Sequence, residues 1–236
     1  MAVLSNLEII SKIVDKEITI EPFVYEHLQP ASIDLTLDNV IKVFKKNKYT
    51  EKEIFDAYSE DIKNNFEELS INEHILKPND FIIGQIQQKI SLSKKYMGNI
   101  QNRNSIIRLG INVGLSSYIN PGYSGKLPIV IKNIGNINIK LSPGMRICQL
   151  VIFDVFPEPS FDYSNKSDAK YQNEEGYLLS KLYEDVEFQD FNKKYKKSLS
   201  NYEKLLEDFL NNRIKEKSKE LLNNLTEEQK SCLGLR

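Results

Sequence analysis

Cysteine and histidine are scarce in this chain, with two of each in 236 residues. Cys148 and Cys232 lie far apart, so no disulfide framework is implied, which suits a reducing cytoplasm. His27 and His74 stand alone, and without a Cys-x-x-Cys run the sequence offers no zinc site. Net charge is low as well: Lys and Arg total 32 against 33 Asp and Glu, so no basic field invites a nucleic acid. The local cluster Lys42, Lys45, Lys46 and Lys48 is soon followed by acidic residues and reads as a solvated loop. No apolar run exceeds strand length, so no transmembrane helix is expected. Residues 1–17 carry polar and charged side chains throughout and do not resemble a signal peptide. No internal repeat is evident. The expectation is a cytoplasmic protein with neither a membrane nor a nucleic acid as partner.

What remains has the balance of an ordinary globular protein, 40% hydrophobic and 28% charged, and is long enough for one large domain plus an appendage. Leu7, Ile9, Ile10, Ile13 and Val14 form a helical stripe near the N-terminus. After a Pro30 turn, Ile33, Leu35 and Leu37 alternate with Asp34, Thr36 and Asp38, the pattern of a half-buried strand. Residues 44–71 are rich in Lys, Asn and Glu and predict a partly helical excursion. Residues 73–153 read as β almost throughout, with short apolar segments broken by Pro, Gly and Asn at the spacing of a barrel or sandwich. A polar, tyrosine-bearing arm follows. Then Phe188, Phe191, Tyr195, Leu199, Tyr202, Leu206 and Phe209 recur at steps of three and four, predicting an amphipathic helix.

The stretch richest in chemistry is residues 101–125, QNRNSIIRLGINVGLSSYINPGYSG. Arg103, Asn104, Ser105 and Arg108 precede a segment that turns through Pro121, Gly122 and Gly125. Guanidinium groups grip phosphate oxygens bidentately, and glycines let backbone amides approach a ligand. Three further blocks stand in order around it: LQPASIDLTLDN at 28–39, LSPGMRICQLVIF at 141–153 and SDAKYQNEEGYLLSKL at 167–182. Together they resemble the dCTP deaminase branch of the trimeric dUTPase superfamily, whose central motif runs G-R-S-S-x-x-R-x-G and then I-D-P-G-aromatic-x-G. Ordered blocks across so much of the chain are far more specific than one motif. Pro30, Pro143 and Gly144 also read simply as turn residues, and Ile33, Leu35, Leu150 and Ile152 as core.

The resemblance implies a mainly β fold, a dUTPase-like distorted β-barrel with an N-terminal helix and a C-terminal helical extension. It divides the chain into a domain at 1–183 and an extension at 184–236. It further implies a homotrimer with active sites between subunits and a pyrimidine deoxynucleoside triphosphate as ligand. Arg103 and Arg108 match the family's two arginines, Tyr163 and Lys170 match arm residues that close over the triphosphate, and Ser105 adds a donor. Mg²⁺ would accompany the nucleotide, held mainly by phosphate oxygens and water. Tyr123 keeps the family's aromatic and reads equally as a ring beside the sugar or as core.

The departures fall at the reacting positions. Asn104 stands where the first motif serine would help to hold the water, and Asn120 replaces the aspartate of the glycine turn. Asn120 can hydrogen-bond a sugar but cannot act as a base. Glu174 replaces a glutamine expected near the ligand. The family's metal-free glutamate falls at Val130, and a missing general acid or base costs about 10²–10⁴-fold. Three readings follow: a nucleotide-binding protein with weakened or lost catalysis, an active dCTP deaminase or dUTP diphosphatase with relocated acid and base groups, or a protein that engages a partner through its C-terminal helix. For the second, Asp154, Glu158 and Asp168 are nearby carboxylates.

Overall fold

The computed structural model describes residues 2–45, 57–114, 117–176 and 179–223. The chain runs α1 (Asn6–Val14), β1 (Ile18–Glu21), β2 (Leu28–Gln29), β3 (Ser32–Phe44), β4 (Phe66–Ser70), β5 (His74–Leu76), β6 (Phe81–Leu92) and β7 (Tyr96–Asn102). Then come α2 (Asn104–Ile107), β8 (Ile111–Val113), β9 (Ser117–Ile119), β10 (Ser124–Asn133), β11 (Ile139–Leu141), β12 (Arg146–Asp154) and, last, α3 (Val186–Asn223). The chain divides into two compact units, Met1–Lys181 and Leu182–Arg236.

The first unit is mainly β. A ten-stranded sheet runs β8-β10-β6-β3-β12-β7-β9, with β1 added on β6 and β2 and β4 on β3, every neighbour antiparallel. It curls as a distorted barrel, while β5 and β11 form a separate two-stranded pair. Inside sit Leu35, Leu37 and Ile41 of β3, Ile86 and Ile90 of β6, Ile131 of β10 and Leu150 and Ile152 of β12, all fully buried. Each such side chain contributes about 1.5–3 kcal/mol of transfer free energy.

Several elements differ from the sequence expectation for identifiable reasons. Within the stretch read as short strands, residues 81–92 form one twelve-residue strand, β6. Gly84 does not break it: a Cβ there would fall 2.9 Å from Leu37 Cδ1, so the glycine serves close packing. The excursion after Phe44 carries a 3-10 helix at Glu60–Asn65, capped by Ser59, and then returns as β4, pairing Val40–Phe44 with Phe66–Ser70. Phe44 and Phe66 meet edge to face at 5.1 Å, and Lys42 is ion-paired with Glu68 at 2.9 Å instead of lying in a loop. Lys46 and Lys48 lie outside the described residues.

In α1, Ser5 caps the first turn by accepting from Glu8 N. Only Ile9 of the expected stripe is fully buried, with Ile13 packed partly against the core and Leu7 and Val14 exposed. The C-terminal helix forms as 38 residues, about 57 Å at 1.5 Å per residue. Leu206 and Phe209 of its expected stripe are exposed, together with Leu205, Leu210 and Ile214. The side chains of Phe188, Phe191, Tyr195, Leu199 and Tyr202 lie outside the described residues.

Candidate functional site

Strand β3 was expected to bury one face, yet Ser32, Asp34 and Thr36 on its polar face are buried along with the apolar residues. Their partners explain it. Arg103 Nε lies 3.1 Å from Asp34 Oδ1, and Arg146 donates to Asp34 Oδ2 at 3.2 Å. Thr36 donates to Gln87 Oε1 and accepts from Gln88 Nε2. Asp34 is 2% exposed, so the two guanidiniums are what makes its charge tolerable there. Arg103 also donates to the carbonyl of Arg146 at 2.9 Å. One of the two arginines expected at phosphate is therefore anchored to a buried carboxylate.

Arg103 is the N-cap residue of the single-turn α2 and Arg108 its C-cap, with Ile106 pinning the turn to the core. Asn104, Ser105 and Arg108 are exposed, and among the described residues Arg108 makes no ion pair. This group offers one uncommitted guanidinium, a hydroxyl and an amide to solvent.

A second group forms around the turn at 120–125. Tyr123 N donates to Asn120 O at 3.1 Å, closing the turn, and Asn120 is half-buried. Gly122 has φ +82°, and a Cβ on it would fall 2.6 Å from Asp162 Cγ, so both backbone and space demand glycine. Asp162 opens the arm: its carboxylate accepts from Ser164 Oγ at 2.6 Å and from the amides of Ser164 and Asn165. The Ser164 hydroxyl, then those amides, hold its carboxyl below the usual range.

From there the arm is stitched to the turn. Tyr163 N donates to Pro121 O at 2.8 Å, Gln172 accepts from Ser124 N at 3.2 Å and donates to Gly122 O at 2.9 Å, and Asn173 N donates to Ser124 O at 2.7 Å. Glu174 forms a parallel bridge with Gly125, its carbonyl accepting from Lys126 N at 2.9 Å. Tyr163 Oη accepts from Tyr171 N, and Lys181 donates through Nζ to Lys170 O. Lys181 Nζ also lies 5.5 Å from the centre of the Tyr171 ring. Tyr163 and Lys170 are half-buried in this arrangement. Tyr123 is 4% exposed with its ring centre 6.3 Å from that of Tyr163, which makes it a packed core aromatic in this chain. Burial, with Glu174 and Tyr163 nearby, pushes its phenol pKa up. Burial likewise lifts the Glu174 carboxyl to about 7, opposed only by Lys181.

Val130 is the residue expected at the family's glutamate position. It lies on the outer face of β10, 46% exposed, opposite Ile83 of β6, and its carbonyl accepts from Gly114 N. No Asp or Glu occurs in β6, β8 or β10. On the same face Asp38 is tied to Lys126 at 3.1 Å, four residues away along the strand. Of the other carboxylates near in sequence, Glu158 pairs with Lys94 and Asp168 with Lys166, while Asp154 ends β12 opposite Tyr96. Glu174 bridges at Gly125, five residues before Val130, about 17 Å along an extended strand. Among the described residues, no hydrogen bond or ion pair joins the α2 group to the turn-and-arm group. No set of three or more His, Cys, Asp or Glu among them is gathered as a metal site.

The sequence pattern of dCTP deaminase-like proteins matches residues 3–155, a span that holds the barrel, α2 and the glycine turn. The chain belongs to the dCTP deaminase-like family. A dUMP-forming dCTP deaminase of Nanoarchaeum equitans is 37% identical over 196 residues, covering 77% of this chain and 98% of that protein. One from Corynebacterium glutamicum (strain R) is 32% identical over 183 residues, covering 76% of this chain and 96% of that protein. Among solved structures, the 2'-deoxycytidine 5'-triphosphate deaminase of Agrobacterium tumefaciens superposes with a TM-score of 0.52 at 19% identity. That match covers 65% of this chain and 48% of the other, and it bears on the fold alone. No described helix is long and apolar enough to cross a membrane.

Sequence reasoning missed three polar residues that shape the site. Asp34, which anchors Arg103, lies in the block LQPASIDLTLDN, where it reads as the outward residue of an alternating strand. Gln172 and Asp162, which fasten the arm, lie in or beside the arm block, but no residue type announces a clamp.

Proposed function

We propose that this family member binds a pyrimidine deoxynucleoside triphosphate and that its hydrolytic chemistry is weakened or lost. The observation that carries the reading is the surrounding of Val130: an exposed valine at the family's glutamate position, with no carboxylate on its own strand or the two strands beside it. Asn120 deepens the deficit, because an amide cannot accept a proton from water, and Asn104 replaces the serine hydroxyl that would help to hold it. Binding groups are retained. Arg108 and Ser105 face solvent on α2, and the arm, which carries Tyr163 and Lys170, is bonded to the glycine turn through Tyr163 N.

The two groups sit separately within one chain, which supports a homotrimer in which one subunit's α2 meets another's turn and arm. Mg²⁺ would enter with the triphosphate, held by phosphate oxygens and water, since the described residues gather no carboxylate cluster for it. The composition and the lack of a described spanning helix support a cytoplasmic setting.

Glu174 favours a second reading, an active dCTP deaminase or dUTP diphosphatase, because a carboxyl near pKa 7 suits proton transfer. Its distance from Val130 along β10 weighs against it. A third reading, a protein partner on α3, draws on the exposed Leu205, Leu206, Phe209, Leu210 and Ile214.

The test is incubation of the purified chain with dCTP, dUTP and Mg²⁺, followed by chromatography, with thermal shift on the same samples. Stabilisation by about 2.7 kcal/mol at a hundredfold excess over Kd, without product, is expected. Product formed at an ordinary enzymic rate overturns the proposal, and its identity separates deamination from diphosphohydrolysis.

A further inference from the structure

The seam between arm and turn leaves two buried polar atoms without a hydrogen-bonding partner, Tyr123 Oη and Glu174 Oε1. Their residues are 4% and 6% exposed. The phenol of Tyr123 and the backbone of Glu174 close on the same glycine: a Cβ on Gly125 would fall 2.8 Å from Tyr123 Oη and 2.9 Å from Glu174 N. The seam is otherwise well made, through Tyr163, Gln172, Asn173 and the Lys126 amide. The orphaned pair is therefore not the mark of a loosely placed arm.

We propose that Glu174 and Tyr123 form a proton-dependent latch: the arm, residues 162–176, docks on the 120–125 turn with Glu174 neutral, and ionisation of Glu174 releases it. A carboxylate buried without a partner is costly, and such a group takes up a proton instead. The neutral acid also gains a donor that the carboxylate lacks, and Tyr123 Oη, likewise buried without a partner, is an acceptor on the same seam.

The groups facing Glu174 do not supply the missing countercharge. From the turn comes Tyr123, itself kept protonated by burial. From β10 comes Lys126, whose ammonium is committed to Asp38. From β6 comes Lys89, paired at 2.6 Å with Glu175, the next residue along the arm. The arm offers Tyr163, whose hydroxyl accepts from Tyr171 N, and beyond it in the chain comes Lys181, whose Nζ donates to Lys170 O. Lys181 draws the Glu174 pKa down without reversing the rise to about 7.

The sign is fixed by linkage. The docked arm binds the Glu174 proton more tightly than the free arm, where an ordinary value near 4.5 applies. Docking is therefore strongest in acid, weakens as pH climbs above 4.5 and is weakest above 7. Between about pH 6 and about pH 8 the docking constant falls about tenfold. The latch stands on the geometry of the arm and needs no nucleotide. If the proposed binding reading holds, it also sets when Tyr163 and Lys170 can close on a triphosphate.

The experiment is done on the full chain without nucleotide, so that its outcome is separate from that of the binding assay. Exchange protection of the Lys126 and Asn173 amides is measured at both pH values after correction for intrinsic rates, with β12 amides as the folded reference. Wild type is expected to lose about tenfold of seam protection on alkalinisation, and Glu174→Gln to lose none. A ¹³C titration of the Glu174 carboxyl in wild type, which needs no variant to fold, is expected to give a midpoint near 7. A midpoint in the ordinary carboxyl range, or seam protection in wild type that ignores pH, overturns the latch.

Discussion

Restoring a carboxylate at Val130 is the sharpest trial of the view that this chain kept a nucleotide site and lost its chemistry. Val130 is 46% exposed on the outer face of β10, so a glutamate there displaces no core atom and buries no charge. The cost of Val130→Glu is confined to lost β-propensity, at most about 1 kcal/mol. That leaves the fold intact while adding the one group the strand lacks. A positioned general acid or base is worth about 10²–10⁴ in rate, or about 3–5 kcal/mol of barrier. Asn104→Ser and Asn120→Asp then return the water-holding hydroxyl and the turn carboxylate. The assay is single-turnover conversion of dCTP followed by chromatography, with Val130→Gln as the isosteric control. Activity is expected to rise in Val130→Glu and further in the triple variant, while Val130→Gln stays at the wild-type level. A triple variant that folds and is stabilised by dCTP yet forms no product would refute the assignment of Val130 to the missing group. Equal gains from glutamate and glutamine would refute the acid–base argument itself.

The fold was legible because its signals are local. Apolar segments cut by Pro, Gly and Asn identified most strands, and the arm's polar run identified an irregular segment that the structure forms from short 3-10 turns at Tyr163–Asn165 and Leu182–Glu184. What local reading could not reach was pairing between distant residues. Alternation in β3 shows which residues point the same way, not what covers them. Asp34 sits under two arginines 69 and 112 residues away, and nothing in its own strand announces either. The return of residues 66–70 as β4 has the same cause: Lys, Asn and Glu suit a helix surface, but the open edge of β3 and the Phe66 ring on Phe44 decide for strand.

The sequence names candidate site residues but not their grouping. Arg103 through Arg108 and Asn120 through Glu174 were proposed one by one, because motif chemistry is local in sequence. Their separation into an α2 group and a turn-and-arm group depends on the register of β10 with its neighbours. Tyr123, balanced between ligand and core on sequence grounds, is buried beneath the arm. The phosphate role expected of Arg103 must now be weighed against its tie to Asp34, since a guanidinium can serve both only through different nitrogens.

Two further outcomes test the framework that holds these groups. Gly122→Ala is expected to cost more than Gly144→Ala, although both glycines have φ near +80°, because a Cβ at Gly122 meets Asp162 at 2.6 Å and one at Gly144 meets nothing within 4 Å. Backbone strain of about 1–3 kcal/mol is common to both, so the excess, read from denaturant melts, measures the contact of the arm with the turn. Asp34→Ala removes the carboxylate beneath Arg103 and Arg146 and leaves the partly buried Arg103 guanidinium uncompensated. A loss of about 3–5 kcal/mol is expected, the cost of breaking rather than replacing a buried pair. Exchanging the acid and Arg103 together, as Asp34→Leu with Arg103→Met, is expected to recover much of that loss, because an apolar pair needs no countercharge. The same double variant should keep dCTP-induced stabilisation if Arg108 and the arm carry the phosphate, and lose it if Arg103 does. A double variant as unstable as Asp34→Ala would mean that the cluster is held by its hydrogen bonds to Arg146 rather than by charge balance.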